Sequence, residues 1–121
     1  MRTLAVFTYT VATETRAVPR VPYEPFIALL GSLDWADRNK AALALAGLSS
    51  HRDPALFAQL RQRAMTPLIE MARWKAIGHA SPALHILGRI GGYSEEDLQR
   101  AISRDEREAI IGAALDRQRD A

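Results

Sequence analysis

The sequence contains no cysteine, which removes disulfide staples, thiolate zinc sites and cysteine nucleophiles from consideration. It contains no run of about 20 apolar residues either, so no helix that crosses a bilayer is expected. Charge of one sign is scarce: sixteen basic and fourteen acidic residues leave a formal charge of +2, and no run of Lys and Arg marks a nucleic-acid footprint. Lysine is scarce as well. Fourteen of the sixteen basic residues are arginine, whose planar fork suits carboxylates or phosphates.

Patterns that carry chemistry are equally thin. His79 and His85 are six residues apart, on different sides of a helix rather than at the i, i+4 spacing of a metal clamp, and His51 stands alone. The carboxylate groups Asp34/Asp37 and Glu95/Glu96/Asp97 fall in turns or first helical turns, where acids complement the helix dipole. No Ser, His and Asp arrangement, phosphate-cradling glycine loop or nucleophile elbow is present, and Gly91-Gly92 follows a helix rather than a strand. The expectation is a protein that is not an enzyme, with no catalytic residue, no metal and no cofactor.

What is there is a chain of 121 residues, 48% hydrophobic and 25% charged, enough for one core but not two. Residues 1–22, "MRTLAVFTYTVATETRAVPRVP", are rich in residues that favour strands. Nothing later supplies a partner strand. An extended arm is therefore expected, lying on the helices or pairing with a second copy into a homodimer through residues 3–12. A competing reading is an export signal, with Arg2 as its charged start, a short apolar stretch from Leu4 to Tyr9 and a cleavage site near Ala12. Without export the chain would be cytoplasmic. Pro19, Pro22 and Pro25 separate this arm from a domain spanning residues 23–118.

Within that domain polar and apolar residues recur at a period near 3.6, predicting an all-α fold. Pro25 opens a short helix bearing Phe26, Ile27, Leu29 and Leu30, and Asp34 caps a second with Ala41, Ala42, Leu45 and Leu48 on its apolar face. Asp53-Pro54 starts a longer stripe of Leu56, Leu60, Ala64, Leu68 and Ala72 with Pro67 inside it, which predicts either one kinked helix or two joined end to end with Thr66 capping the second; the kink is the preferred reading, because the stripe keeps its phase through the proline. A helix with Ala83, Leu84, Ile86, Leu87 and Ile90 ends at Gly91-Gly92, Ser94 caps a short one, and the last buries Ile110, Ile111, Ala114 and Leu115.

Two of these helices carry one pattern. Aligning Leu45 with Leu87, 42 residues later, places Ala41 over Ala83, Ala44 over Ile86, Ala46 over Gly88 and Leu48 over Ile90. A period near forty with two helices per unit is the mark of a helical solenoid, whose units bury their apolar faces by stacking.

Arg38, Ala41, Leu45, Ala46 and Leu48, preceded by the acidic turn "LDWAD", resemble the second helix of a HEAT repeat, of the armadillo-type class. The second unit keeps Ala83, Leu87, Gly88 and Ile90 but has Ala80 where the arginine would stand, and the third, 94–117, is short. The resemblance covers residues 23–117. It implies a short right-handed α-solenoid of two and a half to three HEAT-like helix pairs behind the N-terminal arm, acting as a scaffold that binds another protein. The HEAT-like alkylpurine DNA glycosylases share only the repeat type, and this chain has no clear basic stripe.

In such arrays the second helices line the concave side. At equivalent positions they carry Lys40, Leu43 and Gly47 in one unit and Pro82, His85 and Arg89 in the other. Trp35 and Trp74 fall at turns beside cations, Arg38 and Arg73/Lys75, either as turn anchors or as binding hot spots. The predicted partner-binding residues are thus Trp35, Arg38, Lys40, Leu43, Trp74, His85 and Arg89, with a protein as partner. Nucleic acid, bound through the arginines and the two tryptophans, is the alternative.

Overall fold

The structure, a computed structural model, describes residues 22–120. The expected arm, its homodimer pairing through residues 3–12 and the export-signal reading lie outside the described residues. Those residues form seven α-helices and no strand. In chain order they are α1 (Glu24–Leu29), α2 (Trp35–Ser49), α3 (Pro54–Arg63), α4 (Met65–Ala72), α5 (Ile77–Ile90), α6 (Glu95–Ser103) and α7 (Arg107–Asp120). No helix among them is long and apolar enough to cross a membrane.

The ends of these helices follow local chemistry. The side chains of Asp34, Asp53 and Ser94 accept from the backbone N–H groups of Ala36, Ala55 and Asp97, satisfying donors that the first turn leaves free. Asp53 also accepts the hydroxyl of Tyr23 at 2.6 Å, tying the start of α1 to the start of α3. Burial, and then this carboxylate, push the Tyr23 phenol above its ordinary range. At the end of α5 the Tyr93 N–H reaches Gly88 O and the Gly92 N–H reaches Arg89 O, with Gly92 at φ +92°. That is a Schellman stop, and glycine suits its left-handed residue.

Of the two readings at Pro67 the structure has two helices rather than one kinked helix, and the second begins at Met65 with no side-chain cap from Thr66. Ala64, at φ −129° and ψ 4°, separates α3 from α4. In a continuous helix the Pro67 ring would press on the Arg63 carbonyl four residues back; ending α3 at Arg63 puts Pro67 in the first turn of α4, where its missing N–H is no loss. The apolar stripe nonetheless survives the break: Leu56, Leu60, Ala64, Leu68 and Ala72 are all fully buried. Leu115, expected inside, is exposed, because it lies one position beyond the buried face of Ile110, Ile111 and Ala114.

α5 is the centre of the packing. It contacts α2, α4, α6 and α7, while α1 rests on α2. The interval seen in the sequence also governs the helices: α2 starts at residue 35 and α5 at 77, 42 later, and α4 starts at 65 and α7 at 107, again 42 later. Phe26, Leu68 and Ile110 follow at the same spacing on α1, α4 and α7, and all three are buried. Two of the related pairs, α2 with α5 and α4 with α7, pack on each other.

Candidate functional site

Trp35 is the first residue of α2, placed by the Asp34 cap, and Trp74 lies in the turn after α4. Their rings meet at 4.0 Å between centroids, tilted by 37°, and His79 sits edge-on to Trp74 at 5.6 Å. Arg38, one helical turn beyond Trp35, lays its guanidinium 4.0 Å over that ring and donates to Glu70 Oε1 at 2.5 Å. The layering combines cation–π attraction with aromatic contact. Arg38, expected among the partner-binding residues, is buried between the ring and the carboxylate, where it supports Trp35. Arg73, expected beside Trp74, turns instead to Glu108 with two hydrogen bonds of 2.9–3.0 Å.

From this aromatic rim a shallow groove runs between α2 and α5. Asn39, Leu43, Gly78, His79 and Pro82 line a cavity of about 220 Å³, and Leu43 stays 61% exposed. Asn39 and Leu43 follow Trp35 at four-residue steps along one line of α2, and Gly78 and Pro82 do the same on α5. Lys40 is exposed beside Leu43, Gly47 has open space where a Cβ would stand, and His85 continues the Pro82 face one turn on. His85 Nδ1 is held by Ser81, 2.8 Å from its carbonyl and 3.3 Å from its hydroxyl oxygen.

Arg89 closes the far end. The sequence places it on the same exposed face as Pro82 and His85, but it is buried, for a reason the sequence does not show. Its Nη1 donates to Ala46 O at 2.5 Å and to Ser49 Oγ at 2.9 Å, while Nε and Nη2 grip both oxygens of Glu95 at 2.9 and 2.8 Å. Arg52, at φ 53°, adds Nη2 bonds to Tyr93 O at 2.5 Å and Glu95 Oε2 at 2.8 Å. Arg89 above all, together with Arg52, holds the Glu95 carboxyl at about 2, against an ordinary 4.5. Arg89 is therefore a clamp between α2 and α5, not a rim cation.

The structure thus brings Trp35, Arg38 and Trp74 into one cluster, sets Leu43 and Lys40 along the adjoining groove with His85 one turn further, and withdraws Arg38 and Arg89 from solvent. It adds Asn39 and Gly78, which sequence reasoning passed over, and His79, which it weighed only as a metal ligand. His79 follows Trp74 by five residues, and only the turn between them swings it onto the ring. Among the described residues no group of three acidic or imidazole side chains is placed to hold a metal. Two larger cavities lie elsewhere: an open, polar one of about 420 Å³ between Gly91-Gly92 and Arg104, and a mainly apolar one of about 350 Å³ lined by Ala58, Arg61, Gln62 and Gln118. Compared with family models, curated proteins and solved structures, the chain finds no match.

Proposed function

We propose that this chain is a non-enzymatic, HEAT-like right-handed solenoid module that binds another protein through the groove between α2 and α5. The observation that carries the reading is Leu43. A leucine left 61% exposed in a cleft between two helices, next to a half-buried tryptophan pair, is apolar surface that no other described residue covers. Such a strip beside aromatic anchors is the usual make-up of a helix-accepting groove.

The nucleic-acid alternative draws on the arginines, yet eight of the eleven among the described residues are ion-paired with carboxylates: Arg38, Arg52, Arg63, Arg73, Arg89, Arg100, Arg107 and Arg119. Those charges are spent within the molecule, which favours a protein partner.

The test is selection of helical peptides displayed against the wild-type protein and the Leu43→Arg variant. Because Leu43 is exposed, the substitution should change stability by no more than about 0.5 kcal/mol. Selected peptides are expected to lose at least roughly tenfold in affinity on it, the cost of placing an unpaired charge in the interface core. Binders indifferent to Leu43→Arg would remove the groove from the function. A labelled DNA duplex that binds at low salt and dissociates steeply as salt rises would favour the alternative.

A further inference from the structure

We infer that the cavity between α3 and α7 is a binding site for a small apolar carboxylic acid, held in its ionised form by Arg61. This cavity shares no lining residue with the groove between α2 and α5, so the inference does not depend on the protein-binding reading.

The charge of Arg61 is the starting point. Eight of the eleven arginines among the described residues are ion-paired, and Arg104 and Arg117, which are not, are exposed. Arg61 alone is both unpaired and half-buried. Its side chain makes no hydrogen bond among the described residues, and its Nε is shut from solvent without a partner. A guanidinium drawn partly out of water with no acceptor is costly, and an anion from outside the chain would offset that cost.

The cavity fits one kind of anion. Ala58, Arg61, Gln62 and Gln118 enclose about 350 Å³, within the range of small-molecule sites. Ala58, Arg61 and Gln62 share one face of α3 at i, i+3 and i+4. Ala58 is the one apolar residue of the four, so the mainly apolar wall is its methyl group and the methylene stems of the others. No carboxylate lines it. α3 itself carries no acid, its other charge Arg63 is paired with Glu24, and Asp116 on α7 is paired with Arg119. The carbonyl end of α3 would repel an anion, but Leu60 O is taken by the Ala64 N–H and Arg61 O by Gln118 Nε2 at 2.8 Å.

The planar fork of arginine takes a carboxylate through two parallel bonds. The apolar wall takes a short alkyl or aryl body and offers nothing to the further charges of a phosphate ester. By contrast, the cavity beside Gly91-Gly92 sets Asp97 and Glu106 among its arginines, so its charge selects no occupant.

Octanoate is the probe, with octanol, acetate and inorganic phosphate beside it, each titrated calorimetrically into the full chain. Octanoate should bind at least roughly tenfold more tightly than octanol, which lacks the charge, and than acetate, which lacks the body. Arg61→Gln should weaken octanoate at least roughly tenfold, and so should Ala58→Gln, which fills the apolar wall; Leu43→Gln should leave it unchanged. Without ligand, Arg61→Gln should keep or raise the melting temperature, because no partner is lost. A fall there would reveal a partner within the chain and overturn the inference. Octanol that matches octanoate, or octanoate binding that survives Arg61→Gln, reduces the site to an apolar dimple. Acetate or phosphate that matches octanoate makes it a bare anion site, and loss of binding on Leu43→Gln moves the ligand to the groove. Each of these outcomes overturns the inference, as does octanoate that fails to bind.

Discussion

Arg89 shows how far a side chain's position along a helix can mislead about its surroundings. By periodicity it belongs to the outward stripe with Pro82 and His85, yet its guanidinium turns inward to Ala46 O, Ser49 Oγ and Glu95. Arg89→Ala should lower stability by about 2 kcal/mol in urea unfolding, since it strands a carbonyl and a hydroxyl without their donor. Arg89→Lys should recover less than half of that, because a point charge cannot satisfy both the carboxylate and the helix α2 groups at once. Glu95 gives the acid-side counterpart. Its carboxyl is held at about 2 rather than 4.5, so the folded state favours the ionised form. That stabilisation is complete above about pH 4.5 and drains away as pH falls towards 2. With its side chain 57% exposed, solvent screening leaves about 1 kcal/mol. Thermal melts of the wild type at about pH 5.5 and pH 3 should therefore differ more than those of Glu95→Gln. Equal slopes would detach Glu95 from acid stability.

At the scale of helices, two glycines with the same residue type have opposite consequences. A Cβ on Gly91 would stand 2.9 Å from Ala113 Cβ and 3.1 Å from backbone atoms of Ala113 and Ala114, so Gly91→Ala must push α7 away from α5. A loss of about 1–3 kcal/mol is expected. Gly47, in α2, has nothing within 4 Å, and Gly47→Ala should instead gain about 0.5–1 kcal/mol from the lower entropy of the unfolded chain and better helix propensity. Thermal denaturation of the two variants separates packing from propensity. The break at Ala64 belongs to this scale also. The apolar stripe from Leu56 to Ala72 is readable because periodicity is a property of the pattern; the division into α3 and α4 is not, because a kink and a break satisfy the same pattern. Packing and the backbone of one residue choose between them.

For the whole molecule, α5 packs on α2, α4, α6 and α7, so loss of α5 removes a wall of the core from four of the other six described helices. Unfolding should be two-state. The transitions followed by far-ultraviolet circular dichroism and by tryptophan fluorescence are expected to coincide. Both tryptophans sit at one rim, so a fluorescence transition that precedes the loss of helix would mean that the aromatic end opens separately.

The sequence by itself determined the helical character of the described residues, the caps at Asp34, Asp53 and Ser94, most of the buried stripes and the 42-residue interval, because each of these depends on residue type and spacing along the chain. It also marked Leu43 as an outward apolar residue, which needs only the helical period. Tertiary structure alone decided that Trp35 stacks on Trp74, residues 39 positions apart, that Arg38 and Arg89 are withdrawn into ion pairs, and that His79 joins the rim. Those outcomes depend on which helices meet and on which carboxylate lies within reach of each long, flexible arginine, and a linear pattern carries neither.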